Sequence, residues 1–215
     1  MTQSTSKNPW LWVPTLYLTE SVPYVLIISV SVVMYKNLGI SNEDIGLYTS
    51  FLYLPWVIKP IWSPILELFG HKKQWFLSMQ FILSLVFLGV GLTTGSSHFF
   101  TLTLAFFWMG AFASATNDIA TDGLYLIALK PEQQSFFVGM RSTFYRVGMI
   151  TGQGLIVIVA GFLEEKFADP TQAWSWTMLG VGALMLVLTG INYLATPKVL
   201  EKRIAKEDQP SFGKV

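Results

Sequence analysis

The sequence predicts an all-α integral membrane protein with six hydrophobic transmembrane helices. Hydrophobic residues make up 52% of the 215 residues and aromatic residues 15%. Charged residues make up only 13%, which is about half the share in a typical soluble domain. Six apolar segments reach about 20 residues, the length that crosses roughly 30 Å of hydrocarbon. These segments cover residues 10–34, 45–66, 75–94, 99–128, 135–163 and 174–196.

Polar or turn-forming residues separate the six segments. The first separator contains Gly39 and then Ser41, which suits the N-cap of the second helix. The first segment is longer than the roughly 7–15 apolar residues of a cleaved signal peptide, so we expect it to remain as a span. We predict a cytoplasmic N-terminal tail over 1–9, a transmembrane bundle over 10–196, and a charged cytoplasmic tail or linker over 197–215.

Lysine and arginine residues orient the predicted bundle. With the N-terminus inside, nine of them lie in inner loops and tails, and only Lys36 and Lys166 lie in outer loops. Cytoplasmic loops carry an excess of lysine and arginine, so we predict that both termini are cytoplasmic. The inner nine are Lys7, Lys72, Lys73, Lys130, Lys198, Lys202, Arg203, Lys206 and Lys214.

The composition argues against several other functions. The chain has no cysteine, so a disulfide, a thiolate nucleophile and a cysteine metal site are excluded. Its two histidines, His71 and His98, are 27 residues apart, which argues against a histidine metal centre. The net charge of +1 gives no reason to expect nucleic acid, and there is no Gly-x-x-x-x-Gly-Lys loop for ATP. We predict no catalytic residue, no metal and no cofactor.

Glu20 lies close to the predicted membrane midplane. It follows the start of the first segment by ten residues, about 15 Å along a helix. A carboxyl group in an apolar setting can exchange protons near neutral pH. Pro23 removes a backbone donor nearby and is expected to bend the helix. Glu20 is therefore either a group that couples the solute to protons or a structural partner of a neighbouring polar side chain.

A second group of charges lies on the fourth and fifth segments. Asp118 and Asp122 are four residues apart and share one helix face, beside Asn117. Arg141 and Arg146 lie at matching depths on the antiparallel fifth segment. The spacing of the two arginines separates them by about 140° around the helix, so only one can point squarely at the aspartates. The group is either a substrate or coupling site, or an ion-pair cluster that serves structure or gating.

Lys59 lies in the second segment among three prolines, Pro55, Pro60 and Pro64. Its long side chain either extends to the membrane surface or faces a cavity. In a cavity, it would attract an anionic solute or pair with Glu20. The prolines disrupt lipid-facing helix packing at this point, which favours the cavity.

The loop between the second and third segments carries a recognisable pattern. Ser63 is followed four residues later by Glu67, then by Gly70 and by basic residues. This pattern resembles the loop signature of the major facilitator superfamily, with Ser63 in place of glycine and Glu67 in place of aspartate. The resemblance implies a gating loop in which Glu67 is a conformational latch and Gly70 makes the turn. It places Lys72 and Lys73 at the level of the lipid phosphates.

The fourth segment narrows the resemblance. Residues 117–123, Asn-Asp-Ile-Ala-Thr-Asp-Gly, resemble the acidic motif of the branch that contains AmpG-type muropeptide permeases and acetyl-coenzyme A transporters. Residues 56–64 are similar to the second helix of the same branch. Members of the family have twelve helices in two six-helix halves. The resemblance implies that this chain is the amino-terminal half of such a fold and needs a second half, from a longer chain or another subunit.

These observations predict a transporter and not an enzyme. We expect proton-coupled secondary transport of a bulky, anionic solute such as a muropeptide, by alternating access, in a bacterial inner membrane. The partners would be the lipid bilayer, the solute, protons and the second six-helix half, with no nucleic acid. Two alternatives stay open. The chain is a non-transporting half or an assembly partner, or Asp118 and Asp122 hold Mg²⁺ in an intramembrane prenyl or phosphatidyl transferase.

Overall fold

The computed structural model describes residues 7–68 and 70–199, and every regular element in these ranges is helical. In chain order, the elements are α1 (Pro9–Asn37), an interrupted helix α2 (residues 42–68), α3 (Lys72–Thr93), α4 (Phe99–Ala128), α5 (Pro131–Phe167) and α6 (Pro170–Ala195). All except α2 are long and apolar enough to cross a membrane. The predicted all-α membrane fold is therefore confirmed. Most of the two predicted tails, residues 1–6 and 200–215, lies outside the described residues.

Prolines divide α2 into short pieces. Three α-helices, Asn42–Ser50, Leu54–Ile58 and Ser63–Leu68, alternate with 3-10 turns at Phe51–Tyr53 and Lys59–Ile61. Proline has no amide hydrogen, and its ring crowds the carbonyl four residues earlier. Pro55, Pro60 and Pro64 therefore interrupt the backbone hydrogen bonds repeatedly. The structure corrects the second predicted helix, which the sequence analysis treated as one continuous span over 45–66.

The first helix contains a local irregularity. α1 is regular past Pro23 and then widens into one π-helical turn, Leu26–Val30. In this turn, the amide of Ser31 donates to Leu26 O. The irregularity expected at Pro23 thus lies in the turn that follows it. Single π turns occur frequently near functional sites, and this one begins six residues after Glu20.

α1 lies at the centre of the bundle, with 67% of its hydrophobic stretch buried, compared with 11% in α5. It packs against α4, α5 and α6, whereas α3 packs against α4 and α6. The core surrounds large buried rings such as Tyr35, Phe87 and Phe107 near one end and Trp12 and Phe76 near the other. α2 and α5 leave many large apolar side chains exposed, as expected for helices that face lipid or another protein.

A polar contact joins three helices inside the core. The side-chain amide of Asn192 in α6 donates to Thr19 Oγ1 at 3.1 Å and to Gln80 Oε1 at 3.2 Å. All three side chains are fully buried. Interhelical hydrogen bonds of this kind stabilise membrane bundles by about 0.6–2 kcal/mol each. This contact therefore fixes how α1, α3 and α6 are rotated against one another.

Gly148 and Gly152 let α5 approach α1 closely. A methyl group at Gly148 would overlap Ser21 Oγ and would lie 3.0 Å from Leu18 O. At Gly152, a methyl group would lie 2.9 Å from Val25 Cγ1. Small residues four apart are a common means of close helix packing in membranes. The glycines therefore determine the separation of the two helices.

Replacing Gly148 by alanine is expected to lower the free energy of unfolding by about 1–3 kcal/mol, because the added methyl group overlaps α1. Gly154→Ala is the matched control, since a methyl group there has no neighbour within 4 Å. Alanine also favours a helix over glycine by up to about 1 kcal/mol. Unfolding of both variants in the same detergent measures the difference. Equal stability of the two variants would contradict the close contact.

Candidate functional site

A polar cavity of about 290 Å³, here called the charged cavity, opens between α1, α4 and α5. Its lining consists of Tyr17 and Glu20 from α1, Asp118 and Asp122 from α4, and Arg141, Ser142, Tyr145 and Arg146 from α5. Five of the seven side chains that the sequence analysis proposed for substrate or coupling thus meet at one place. Charges inside apolar helices are costly unless they pair or serve a pathway.

Asp122 and Arg141 form one ion pair of the charged cavity. Asp122 Oδ1 lies 3.1 Å from Arg141 Nη1 and accepts a hydrogen bond from Tyr17 Oη at 2.8 Å. The guanidinium carbon of Arg141 lies 5.2 Å from the ring centroids of both Tyr17 and Tyr125. An ion pair and two cation–π contacts hold Arg141 in one orientation. Of the two arginines, Arg141 is therefore the one that pairs with an aspartate in this structure.

Lys59 and Asp118 form the second ion pair, between Lys59 Nζ and Asp118 Oδ2. Lys59 begins a 3-10 turn of α2, so the interruption of this helix directs the cation towards α4. The side chains are 34% and 19% exposed, which places the pair at the edge of the bundle interior. The sequence analysis considered the membrane surface, a solute anion or Glu20 as the partner of Lys59. In the structure, the partner is Asp118.

Glu20 lies behind this pair. Its side chain is 5% exposed, and Oε2 has no hydrogen-bond partner among the described residues. Asp118 lines the same cavity as Glu20. Two adjacent carboxylates repel each other when both are ionised. In this structure the ion pair with Lys59 offsets the charge of Asp118 and so reduces that repulsion.

Arg146 and Asn117 have different surroundings. Arg146 lines the charged cavity, is exposed, and forms no ion pair within residues 7–68 and 70–199. Asn117 is fully buried and is not part of the cavity lining. Its Oδ1 and Nδ2 have no hydrogen-bond partner in the described part of the chain, and the same holds for Thr121 Oγ1. Arg146 is thus the cation most open to a ligand, whereas Asn117 lies inside the bundle.

Three polar lining residues were missed by the sequence analysis: Tyr17, Ser142 and Tyr145. Helix spacing could have found two of them. Tyr17 precedes Glu20 by three residues and Tyr145 follows Arg141 by four, so each shares a helix face with a charge. Tyrosines in membrane helices are common at the membrane–water interfaces, so their presence alone does not indicate a cavity.

The predicted gating loop lies apart from the charged cavity, because none of its residues lines that cavity. Gly70 has a φ of +78°, a left-handed conformation that glycine adopts without strain. Glu67 Oε1 lies 2.6 Å from Lys72 Nζ. Ser63 Oγ donates to Pro60 O at 3.4 Å, a local contact within α2. The loop therefore makes a sharp turn with one ion pair across it.

The two lysines of the loop have different roles. Lys72 is only 4% exposed and also donates to Leu66 O at 3.2 Å, so this side chain points into the bundle. The long aliphatic part of its side chain is buried, and its ammonium group binds Glu67 and the carbonyl of Leu66 at the end of α2. Lys73 Nζ donates to Tyr193 O at 2.9 Å and Thr196 O at 2.7 Å. Lys73 thus binds the unsatisfied carbonyls at the end of α6.

A bundle of apolar helices that encloses paired charges around a cavity defines a multi-pass membrane protein of the transporter class. Residues 16–214 match the family described as the Major Facilitator Superfamily. The chain therefore belongs to the major facilitator superfamily. The relatives with functional names are described as transporters or permeases, not as enzymes.

Curated relatives support the branch that the fourth helix indicates. The chain is 30% identical over 206 residues to the putative transporter AmpG 4 of Rickettsia conorii, which covers 88% of this chain and 45% of the relative. It is 26% identical over 187 residues to the anhydromuropeptide permease of Escherichia coli K12, which covers 82% of this chain and 36% of the relative. An uncharacterized protein of Schizosaccharomyces pombe is 32% identical over 166 residues, or 72% of this chain and 31% of the relative.

The chain spans less than half the length of these relatives. Its helical elements, six in the described residues when the interrupted α2 is included, fit one half of a twelve-helix major facilitator fold. The resemblance to the AmpG-type branch that the sequence analysis stated is confirmed.

The aspartates do not support the transferase alternative. A magnesium site needs carboxylate oxygens that are free to bind the metal ion. Here Asp118 binds Lys59, and Asp122 binds both Arg141 and Tyr17. Together with the family, these partners favour a charged transport cavity over a diphosphate site.

Proposed function

We propose that this chain forms one half of a proton-coupled transporter that moves a bulky, anionic solute, such as a muropeptide, by alternating access. The observation that carries the proposal is the charged cavity. Three carboxyl groups line it, two of them in ion pairs, together with an arginine that has no ionic partner among the described residues. The name of the Escherichia coli relative, an anhydromuropeptide permease, supports the class of solute.

The cations of the cavity suit an anionic solute. Arg146 is exposed at the cavity and has no ionic partner in the described residues, so its guanidinium can bind a carboxylate in a two-bond geometry. Arg141 is held by Asp122 and the two tyrosine rings, which leaves it less free to move. Arg146 is therefore the proposed solute contact, and Arg141 positions the aspartate.

The proton would be carried by Glu20, which shares the lining of the charged cavity with Asp118. When Lys59 pairs with Asp118, Glu20 is the remaining acid in an almost fully buried position. When Lys59 moves away with α2, Asp118 is left beside Glu20, and one proton relieves their repulsion. In this scheme, the ammonium group of Lys59 couples the movement of α2 to proton binding.

Transport needs a second half. Alternating access proceeds by rocking of two repeats around a site between them, and the exposed side chain of Arg146 lies on the open side of this half. The exposed apolar residues of α2 and α5 supply a surface for that partner. A non-transporting half is the alternative. The cytoplasmic termini remain a prediction from the distribution of lysine and arginine, and the bacterial inner membrane remains a prediction from the family resemblance.

Reconstitution separates transport from a non-transporting half. The chain is placed in proteoliposomes alone and together with the six helices that follow the matched region in its AmpG-type relatives. A labelled anhydromuropeptide is added, and solute uptake and internal pH are recorded. We expect uptake with acidification only when both halves are present. Absence of uptake in both samples, with the protein folded, would contradict the proposed function.

A further inference from the structure

A second cavity, here called the basic cavity, has a volume of about 320 Å³ and shares no lining residue with the charged cavity. It lies where α3 begins and α6 ends, at the end of the bundle that the sequence predicts to be cytoplasmic. Its polar lining includes Lys73, Lys198 and Tyr193. Its apolar lining includes Leu77 and Val199. The proposed transport function uses none of these residues.

Positive charge accumulates at the basic cavity. Lys73 and Lys198 line the cavity, Lys7 lies beside it at Leu194, and none of the three lysines forms a salt bridge within the described residues. Lys7 donates to Leu194 O, and Lys73 donates to the carbonyls that end α6. These carbonyls carry only the partial negative charge of a helix C-terminus, and no carboxylate of the described residues pairs with any of the three lysines. Like charges this close repel one another, and a bound anion would relieve the repulsion.

An apolar strip extends from the basic cavity along the outside of the bundle. On α3, Leu77 lines the cavity, and Phe81 and Leu85 follow it at helical spacing with about half of each side chain exposed. On α6, Leu186 lies seven residues before the lining residue Tyr193, which is two turns along the same helix face, and it is 38% exposed. The surface therefore has a cationic end and an apolar continuation in the direction of the membrane interior.

We infer that the basic cavity binds the phosphate group of an anionic phospholipid, with an acyl chain lying along the apolar strip. Lys198 and the remaining donor of Lys73 contact the phosphate, and Tyr193, whose ring lies 5.4 Å from Lys73 Nζ, borders it. A free phosphate would need only the lysines. The apolar strip is the observation that favours a lipid, and anionic lipids are enriched at cytoplasmic membrane surfaces.

Lys198 provides the test, because it is exposed and makes no hydrogen bond within the described residues, so its replacement spares the fold. The purified chain in detergent is titrated with phosphatidylglycerol or phosphatidylcholine, and native mass spectrometry counts the bound lipid. We expect tighter binding of phosphatidylglycerol. Lys198→Gln should weaken that binding by about fivefold, the factor for one lysine near an anionic surface. Lys166→Gln, an exposed lysine at the other end of the bundle, is the matched control.

Three results would overturn the inference. Equal binding of the two lipids would show that the headgroup charge is not recognised. Unchanged affinity in Lys198→Gln, or an equal loss in Lys166→Gln, would remove the basic cavity as the site. Displacement of phosphatidylglycerol by inorganic phosphate at the same concentration and ionic strength would assign the cavity to a free anion. Because the assay measures lipid binding and not uptake, its failure is distinct from failure of the transport proposal.

Discussion

Glu20→Gln is expected to abolish proton-coupled solute uptake while leaving membrane insertion intact. Glutamine has the shape of glutamate, but its amide does not take up or release a proton near neutral pH. Because Glu20 Oε2 has no hydrogen-bond partner among the described residues, the substitution removes no bond from that oxygen. In proteoliposomes that contain both halves, solute-driven acidification should fall to the level of liposomes without protein.

Glu43→Gln is the matched control for this experiment. Glu43 lies exposed in the first turn of α2, outside the charged cavity, and its variant should behave as the wild type. Exchange of labelled for unlabelled solute at equal concentrations is measured as well, since exchange requires no net proton movement. Loss of uptake with retained exchange would assign Glu20 to coupling. Wild-type acidification in Glu20→Gln would remove this residue from the mechanism.

Lys59→Met is expected to lower the free energy of unfolding by about 1–3 kcal/mol, because Asp118 loses its cation and is left against Glu20. Asp118→Asn alone leaves Lys59 without its partner and should also destabilise the protein. The double variant should be more stable than the sum of the two single effects predicts, by about 0.5–3 kcal/mol for groups in contact. Chemical unfolding of the four proteins in one detergent measures this double-mutant cycle.

Lys36→Met tests whether any lysine loss has the same effect. Lys36, in the exposed last turn of α1, donates from Nζ to Asn42 Oδ1 at the start of α2, so its replacement should change stability by no more than about 0.5 kcal/mol. Additive effects of Lys59→Met and Asp118→Asn would mean that the pair contributes no interaction energy. That result would also remove the link between α2 movement and the proton in the proposed scheme.

The pairing of charges shows how far helix geometry can be predicted. Matching depths on two antiparallel helices indicated that aspartates of α4 and arginines of α5 would meet, and Asp122 and Arg141 do so. The same geometry placed Arg146 at the depth of Asp118, but in the structure Asp118 binds Lys59. Lys59 reaches it because α2 is interrupted there. Pairwise spacing cannot foresee a third helix that competes for the same carboxylate.

For the loop after α2, the sequence likewise predicted one part of the structure and not another. The order of Glu67, Gly70 and the following lysines indicated a turn with basic residues, and Gly70 does adopt a left-handed conformation. The order of these residues does not predict where each lysine side chain points. Lys72 turns inward to Glu67, whereas Lys73 reaches the end of α6, more than one hundred residues away in the chain. Only the packing of α6 beside α3 creates the second contact.

The amino-acid sequence alone determined that this protein is a membrane bundle of apolar helices with charges inside it, since hydrophobic length and composition decide partition into lipid residue by residue. It also indicated the family through short local patterns. The tertiary structure decided which charges share the charged cavity, that α2 is interrupted, and that Lys73 and Lys198 meet at the basic cavity. These features depend on the rotation and separation of helices, set by close contacts such as Gly148 against α1, and such contacts join residues that are distant along the chain.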